Sequence, residues 1–407
     1  MIVTDLVFLE NQAGEVEGLG HAGIETFRDT PYASCAREAG QNSLDAAEGQ
    51  PVRMAFVDHE IPTSEVPAFG KFRETVFSCL KEAKAEKDTD FFKNAKSLVS
   101  QETIRVLEIS DYNTSGLIGP PSDPSSPFHS LVKATGKSNK ASDTSGGSFG
   151  IGKNASFAIS DLQTVFYSSI YELNGEARSA VQGKTQLVSH TDVKGVQRMA
   201  KGYWGHPEQF AAVEDYKDVP TWLQRSEKGT SVFSLGFRYD RNWKDRMTVA
   251  LLTNFFLAVL DGDIEFTVGN GEARLVNSET VGELFEDTDI AQAAGSASHQ
   301  ADFEFARQLY RCRTSEEAIK QTFEVQGLGT FKASILVADG LPRRVGIMRN
   351  GMMITQSLEH FNDKLMRFVG AKDFIMLLEP VSEEASSFLK KLENPQHNGF
   401  SAERLSD

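Results

Sequence analysis

Cysteine is scarce: Cys35, Cys79 and Cys312 are the three in 407 residues, far apart and without a CxxC pair. That excludes a disulfide framework and a structural zinc site, and it suits a reducing compartment. Positive charge is short too. Lys and Arg number 42 against 57 Asp and Glu, a net charge of −15. A surface that coats nucleic acid is thereby excluded, although a local basic groove is not. Long apolar runs are missing. The most apolar stretch, VALLTNFFLAVL at 249–260, is too short to span a bilayer and carries Thr253 and Asn254. It predicts a buried helix over about 243–260. The opening MIVTDLVFLENQAGEVEG has neither the cationic nor the apolar region of a signal peptide. The expectation is a cytoplasmic protein with no membrane part.

What is present fits a globular chain with real cores: 40% hydrophobic and 24% charged residues, at a length that suggests two domains. Strands are expected at VRMAFVDHE (52–60), TIRVLEISD (103–111), QTVFYSSIY, ARSAVQGKTQLV, GTSVFSLGFRY (229–239) and IEFTVGN. The charged, helix-patterned segment 71–100 predicts an exposed insertion of one or two helices. Residues 117–148, rich in Pro, Ser, Gly, Thr and Lys, predict a long loop with one helical turn, of a length that is either functional, as a lid, or disordered. Beyond about 275 a second unit begins, with a helix and then strands in LGTFKASILVAD, RRVGIMRNGMMIT and KDFIMLLEP. It closes with a helix around SEEASSFLKKLE.

Four features in fixed order carry chemistry. In CAREAGQNSLDAA (35–47), Glu38, Asn42 and Asp45 share one helical face at i, i+4 and i+7. Alone, that face reads either as solvated or as the lining of a site. In SDYNTSGL, Asp111 ends a strand and a turn with Asn113 and Gly116 follows. GGSFGIGKNASF is a glycine-rich turn (Gly147, Gly150, Gly152) that opens a helix, and KGTSVFSL opens a strand with Gly229 and Thr230. Glycines allow positive φ and close backbone approach, and a helix N-terminus offers free N–H groups to anions. From His129 to Lys153, four lysines (133, 137, 140, 153) face one acid, Asp143, so this segment is +3 in an acidic chain. A polyphosphate ligand follows. It would bring Mg²⁺, which takes few protein oxygens, and Asn42 can supply one. Glu38 can orient and deprotonate a water attacking the γ-phosphate. Asp111 can accept from an exocyclic amine such as adenine's. Gly40 leaves room for a neighbouring strand or the ligand.

This ordered set resembles the GHKL ATPases, the Bergerat-fold family of DNA gyrase B, MutL, the ninety-kilodalton heat-shock chaperones and MORC proteins. REAGQNSLDA is similar to the family's first motif. The resemblance implies that Glu38 is the general base, Asn42 the Mg²⁺ ligand and Asp45 a supporting polar residue near ATP. It makes Asp111 the adenine reader, with Asn113 and Gly116 in the second motif. Lys133 falls in the basic lid, and Gly147, Gly150, Ile151, Gly152 and Lys153 form the phosphate loop. Thr230 is the late Thr that bonds near the adenine and Asp111. The family's second motif is usually Asp-x-Gly-x-Gly; here Asn113 replaces the first Gly and one residue is extra. Histidine kinases share the fold but need an upstream hairpin with a phosphoacceptor His, and His21 is not in such a hairpin. His397, in a Pro/Asn/Gly loop, reads as structural.

The expected fold class is α/β (α+β). A two-layer Bergerat-type ATP-binding sandwich (1–275, lid about 117–148) precedes a smaller transducer-like α+β domain (276–407). The second domain would send a basic residue to the γ-phosphate: Arg349, the Arg343–Arg344 pair or Lys332. The expected function is slow Mg²⁺-dependent ATP hydrolysis. Lid closure and homodimerisation would control a protein partner, in an antiphage or DNA-transaction complex. The alternative is a nucleotide-gated scaffold with little turnover. No nuclease constellation is visible, so any cutting would belong to a partner, and direct DNA binding is left open.

Overall fold

The computed structural model describes residues 4–134, 152–297, 299–356, 368–394 and 399–400. Gly147, Gly150, Ile151, His397 and the expected lid beyond residue 134 lie outside these residues.

A large mixed sheet holds ten strands. They are β1 (Asp5–Glu10), β2 (Val52–Pro62), β3 (Thr103–Tyr112), β4 (Ser160–Leu173) and β5 (Glu176–Gln186). The rest are β6 (His190–Thr191), β7 (Gln197–Gly205), β8 (Gly229–Phe237), β9 (Ile264–Val268) and β10 (Arg274–Val276). The order across it is β1-β7-β5-β4-β8-β3-β2-β9-β10, with β6 beside β7. Its helices are α1 (Ala22–Glu25), α2 (Pro31–Asp45), α3 (Phe69–Glu82), α4 (Glu86–Leu98), α5 (Pro127–Val132), α6 (Ala155–Ala158) and α7 (Trp243–Leu260).

Both faces of this sheet are covered, as β3 makes plain. Ile104 and Val106 pack into one cluster and Leu107 and Ile109 into another, because successive side chains point to opposite faces. The first cluster includes Phe72, Val76 and Cys79 of α3 and Phe91 and Phe92 of α4. The segment expected as an exposed insertion is therefore a covering layer, and the sandwich has three layers there rather than two. Its charges sit on the outer faces of two amphipathic helices, where they hide the buried stripe from a count of composition.

After α8 (Val281–Glu286), α9 (Thr288–Ser296) and α10 (Gln300–Thr314) comes a second sheet of five strands. These are β11 (Ile319–Val325), β12 (Gly329–Val337), β13 (Arg344–Arg349), β14 (Met352–Thr355) and β15 (Phe374–Pro380), followed by α11 (Glu383–Leu392). Their order is β11-β12-β15-β13-β14. β13 and β14 turn on Asn350 (φ 49°) and Gly351 (φ 68°), the two positive-φ positions a tight hairpin demands.

The predicted 243–260 helix is α7. It is buried nearly all round because it lies between the sheets: Phe255 and Phe256 share one cluster with Phe56 and Phe266 of the first sheet and Ile347 and Leu377 of the second. Among the described residues no helix is long and apolar enough to cross a membrane.

Candidate functional site

Helix α2 starts at Pro31, whose fixed φ suits a first helical turn. Its sequence CAREAGQNSLD buries Cys35, Ala36, Gly40 and Ser43. A Cβ at Gly40 would lie 2.5 and 2.7 Å from ring atoms of Phe255. The neighbour that Gly40 makes room for is thus α7, neither a strand nor a ligand. Glu38 is only 7% exposed. Asn42, one turn on, is exposed, and Asp45 is half-buried in the last turn.

Asp111, at the end of β3, ties three elements together. Ser43 Oγ of α2 donates to its Oδ2 at 3.0 Å. Thr114 Oγ1, in the following turn, and the Thr230 backbone N–H at the start of β8 both donate to Oδ1 at 2.7 Å. A carboxylate offers about four acceptor positions, so one remains after these three donors. Arg225 backs the assembly: its guanidinium bonds the Asp111 carbonyl and lies 4.9 Å from the Tyr112 ring centroid.

The departure in the second motif has a conformational explanation. Asn113 has φ 63°, the left-handed region where glycine is usual and Asn is tolerated. Its amide donates to Pro51 O at 2.7 Å, and its carbonyl accepts from Glu48 and Gly49. Asn113 therefore holds the turn to the chain after α2. Gly116 has φ 67°, and a Cβ there would meet Ile170 O at 2.5 Å and Ser169 Oγ at 2.9 Å.

Gly152 meets Glu38. A Cβ added at Gly152 would overlap Glu38 Oε2 and lie 2.7 Å from Glu38 Cδ. The end of the glycine-rich stretch is thus packed on the expected base. Lys153 is directed elsewhere: its Nζ donates to Ser130 O at 3.0 Å and to Ala134 O. Burial pushes its ammonium down to about 8. Lys133 is near neither Glu38 nor Asp111 in its contacts; its Nζ lies 5.9 Å from the Tyr203 ring centroid on β7.

Arg349, expected at the γ-phosphate, forms a buried bidentate pair with Glu393: Nε bonds Oε1, and Nη2 bonds Oε2 at 2.9 Å. Arg343 pairs with Asp373 and Lys332 with Glu379, at 2.8 and 3.1 Å. The basic residue beside Glu38 is its sequence neighbour Arg37, which donates to Asn254 Oδ1 of α7 and to Met353 O of β14. Burial lowers this guanidinium to about 10 despite the opposing pull of Glu38 and Glu393. A cavity of about 920 Å³ opens at this end of α2, bounded by Arg37, Glu38, Arg246, Asn254, His299 and Met353 among others.

The structure therefore brings together Glu38 with Gly152, and Asp111 with Thr230 and α2. It does not bring Lys133, Lys153 or Arg349 to either group. Sequence reasoning missed Ser43, Thr114, Arg225 and Arg37. The small hydroxyls flanking known motif positions, NSLD and DYNT, were the available signal; Arg225 had none.

No family model matches the chain, and no curated protein matches it. Among solved structures it is similar to the B-subunit of the DNA gyrase from Myxococcus xanthus, at 10% identity and a TM-score of 0.36, over 93% of this chain and 90% of that one.

Proposed function

We propose that this protein binds ATP with Mg²⁺ and hydrolyses it slowly, in the manner of a GHKL ATPase. One observation carries the reading: Asp111 is held by α2, by its own turn and by β8 with one acceptor position to spare, while Glu38 on the same helix lies against Gly152. The donor set suits the ligand. Among the described residues no group of three or more His, Cys, Asp or Glu side chains can hold a metal alone, and Mg²⁺ bound with a nucleotide takes most of its oxygens from phosphate and water.

In this reading Asp111 accepts from the adenine amine, and Asn42 offers its amide oxygen to the metal. Gly152 lets the backbone approach the phosphates. Glu38 orients a water and takes its proton, with burial keeping bulk water from competing. The bound Mg²⁺–ATP supplies the scissile anhydride and the charge that neutralises its phosphates. Residues 117–148 act as a lid whose closure accompanies homodimerisation, and the unit from 276 to 407 passes that change to a partner. An antiphage or DNA-transaction complex in the cytoplasm is the setting the sequence motifs favour.

The second reading, a nucleotide-gated scaffold with little turnover, is favoured by Arg349. Its guanidinium is committed to a buried bidentate pair with Glu393. Titration with Mg²⁺–ATP and a phosphate-release assay separate the outcomes. Wild type should bind ATP and release phosphate, and Asp111→Ala and Asn42→Ala should lose binding. Binding without release supports the scaffold, and unaltered binding in both variants refutes the nucleotide site.

A further inference from the structure

Beside the glycine-rich turn, under α5, lies a group of cations that the reading above does not use. Lys184 of β5 is 6% exposed, and its Nζ donates to Val132 O at 2.6 Å. Among the described residues it has no carboxylate partner. Its charged neighbours are Lys153 and Lys201. Lys133, just after α5, and Lys184 place their ammoniums 5.9 and 5.6 Å from the same ring centroid, that of Tyr203. His21, ahead of α1, feels Lys201, Lys184 and Lys153, and its Nδ1 is buried without a partner. His129 Nδ1 and Ser130 Oγ on α5 are buried and unpartnered too. The carboxylate of the group is Glu17, 3.8 Å from Lys201 and also accepting from Ala200 N.

When all four lysines are protonated, they and one glutamate leave a local surplus of three positive charges in a chain of net −15. Buried charge is ordinarily paired, because desolvation costs several kcal/mol per ion otherwise. An ammonium has three donors, and Lys184 directs one to a backbone carbonyl. We propose that the cluster of Lys133, Lys153, Lys184, Lys201 and His21 is a binding site for a phosphate-class anion. Such an anion supplies both the missing charge and several strong acceptor oxygens.

Binding has a structural consequence. The carbonyls that hold Lys153 and Lys184 in its absence, Ser130, Val132 and Ala134, belong to the end of α5, within the segment read as the lid. An anion that draws both ammoniums away releases these carbonyls, while Phe128 and Val132 keep α5 packed on the sheet. The anion site itself is independent of the ATPase reading; only the lid consequence rests on it. Binding also takes up protons. Burial first, then Lys153 and Lys201, pushes Lys184 down to about 7, and burial pushes Lys153 down to about 8. Of the groups packed around them, His21 feels Lys201, Lys184 and Lys153 with Glu17 opposing, and His129 feels Lys133 and Lys153.

Sulfate, a tetrahedral dianion that does not titrate near neutral pH, is the probe, with inorganic phosphate as its companion. Calorimetric titration at pH ~8 in two buffers of different ionisation enthalpy should show saturable binding with net proton uptake. Lys184→Gln should weaken it at least about tenfold, and Lys201→Gln, on a half-exposed side chain, should weaken it without a folding defect. Asp111→Asn should keep sulfate binding while losing ATP, which separates this site from the adenine reading. ATP displacing sulfate identifies the anion as a nucleotide's terminal phosphate, and simultaneous binding identifies it as a free anion. Absence of saturable binding, or binding indifferent to both lysine substitutions, overturns the proposal.

Discussion

Gly152→Ala isolates the contact between the glycine-rich turn and the expected base. The added methyl would sit 2.7 Å from Glu38 Cδ, about 1 Å inside normal carbon contact, and overlap Oε2. What it meets is the far end of a flexible side chain, so the carboxylate swings away while the backbone stays. The stability cost is that of an off-rotamer glutamate, about 0.5–1.5 kcal/mol. The catalytic cost is larger, because a displacement of about 1 Å at a reacting group lowers rates roughly 100-fold. The expected result is an ATPase down about 100-fold in kcat, with ATP affinity within about threefold of wild type and a urea midpoint lowered only slightly. Phosphate release, ATP titration and urea denaturation on one preparation provide all three values. Wild-type turnover in Gly152→Ala would refute the placement of Glu38, and collapse of the fold would refute the claim that the contact is local.

Three further outcomes follow from the same geometry. Arg349→Ala removes the bidentate partner of the buried Glu393 and should lower unfolding free energy by about 3–5 kcal/mol in urea titration; a large loss of turnover at unchanged stability would support Arg349 as a catalytic group. Gly40→Ala pushes a methyl into the Phe255 ring, which is fully buried and cannot retreat, and should cost about 1–3 kcal/mol by the same measurement. Stability should rise with pH from about 7 to about 9. Lys184 and Lys153 are depressed in the fold from an ordinary 10.5. The folded chain therefore binds fewer protons than the unfolded one across that window. Above pH 9 the buried Cys35 and Cys79 thiols, raised by burial from an ordinary 9.0, begin to oppose the trend. Unfolding free energies from urea titration at pH 7 and 9 should differ by about 2–4 kcal/mol, and Lys184→Gln should shrink the difference; equal values would contradict the burial of both ammoniums.

The parts legible in the sequence are those set by local pattern. The apolar run at 243–260 became α7, and β3 ended at Tyr112, one residue past the expected Asp111. Thr230 was paired with Asp111 by resemblance and is so paired in the structure, through its backbone N–H. What escaped depends on the partner rather than on the segment. The charged stretch 71–100 looked exposed because its buried phenylalanines alternate with lysines on helices, and only the sheet beneath shows which face is inside. β7 escaped because Gly202 and Gly205 dilute its strand character, and Gly202 proves to make room for Phe8 of β1. Arg349 was a candidate to reach the γ-phosphate, and nothing in its neighbourhood along the chain announces its buried partner Glu393, 44 residues on. Lys153 was read toward phosphate, and its bonds run to the end of α5.

The central claim is that Glu38 activates water while Asp111 reads the base. It is tested most directly by phosphate release under single-turnover conditions with Mg²⁺–ATP, wild type against Glu38→Gln. Both should bind ATP alike, and Glu38→Gln should release phosphate at least about 100-fold more slowly. Equal release from the two proteins, with ATP bound, would contradict it.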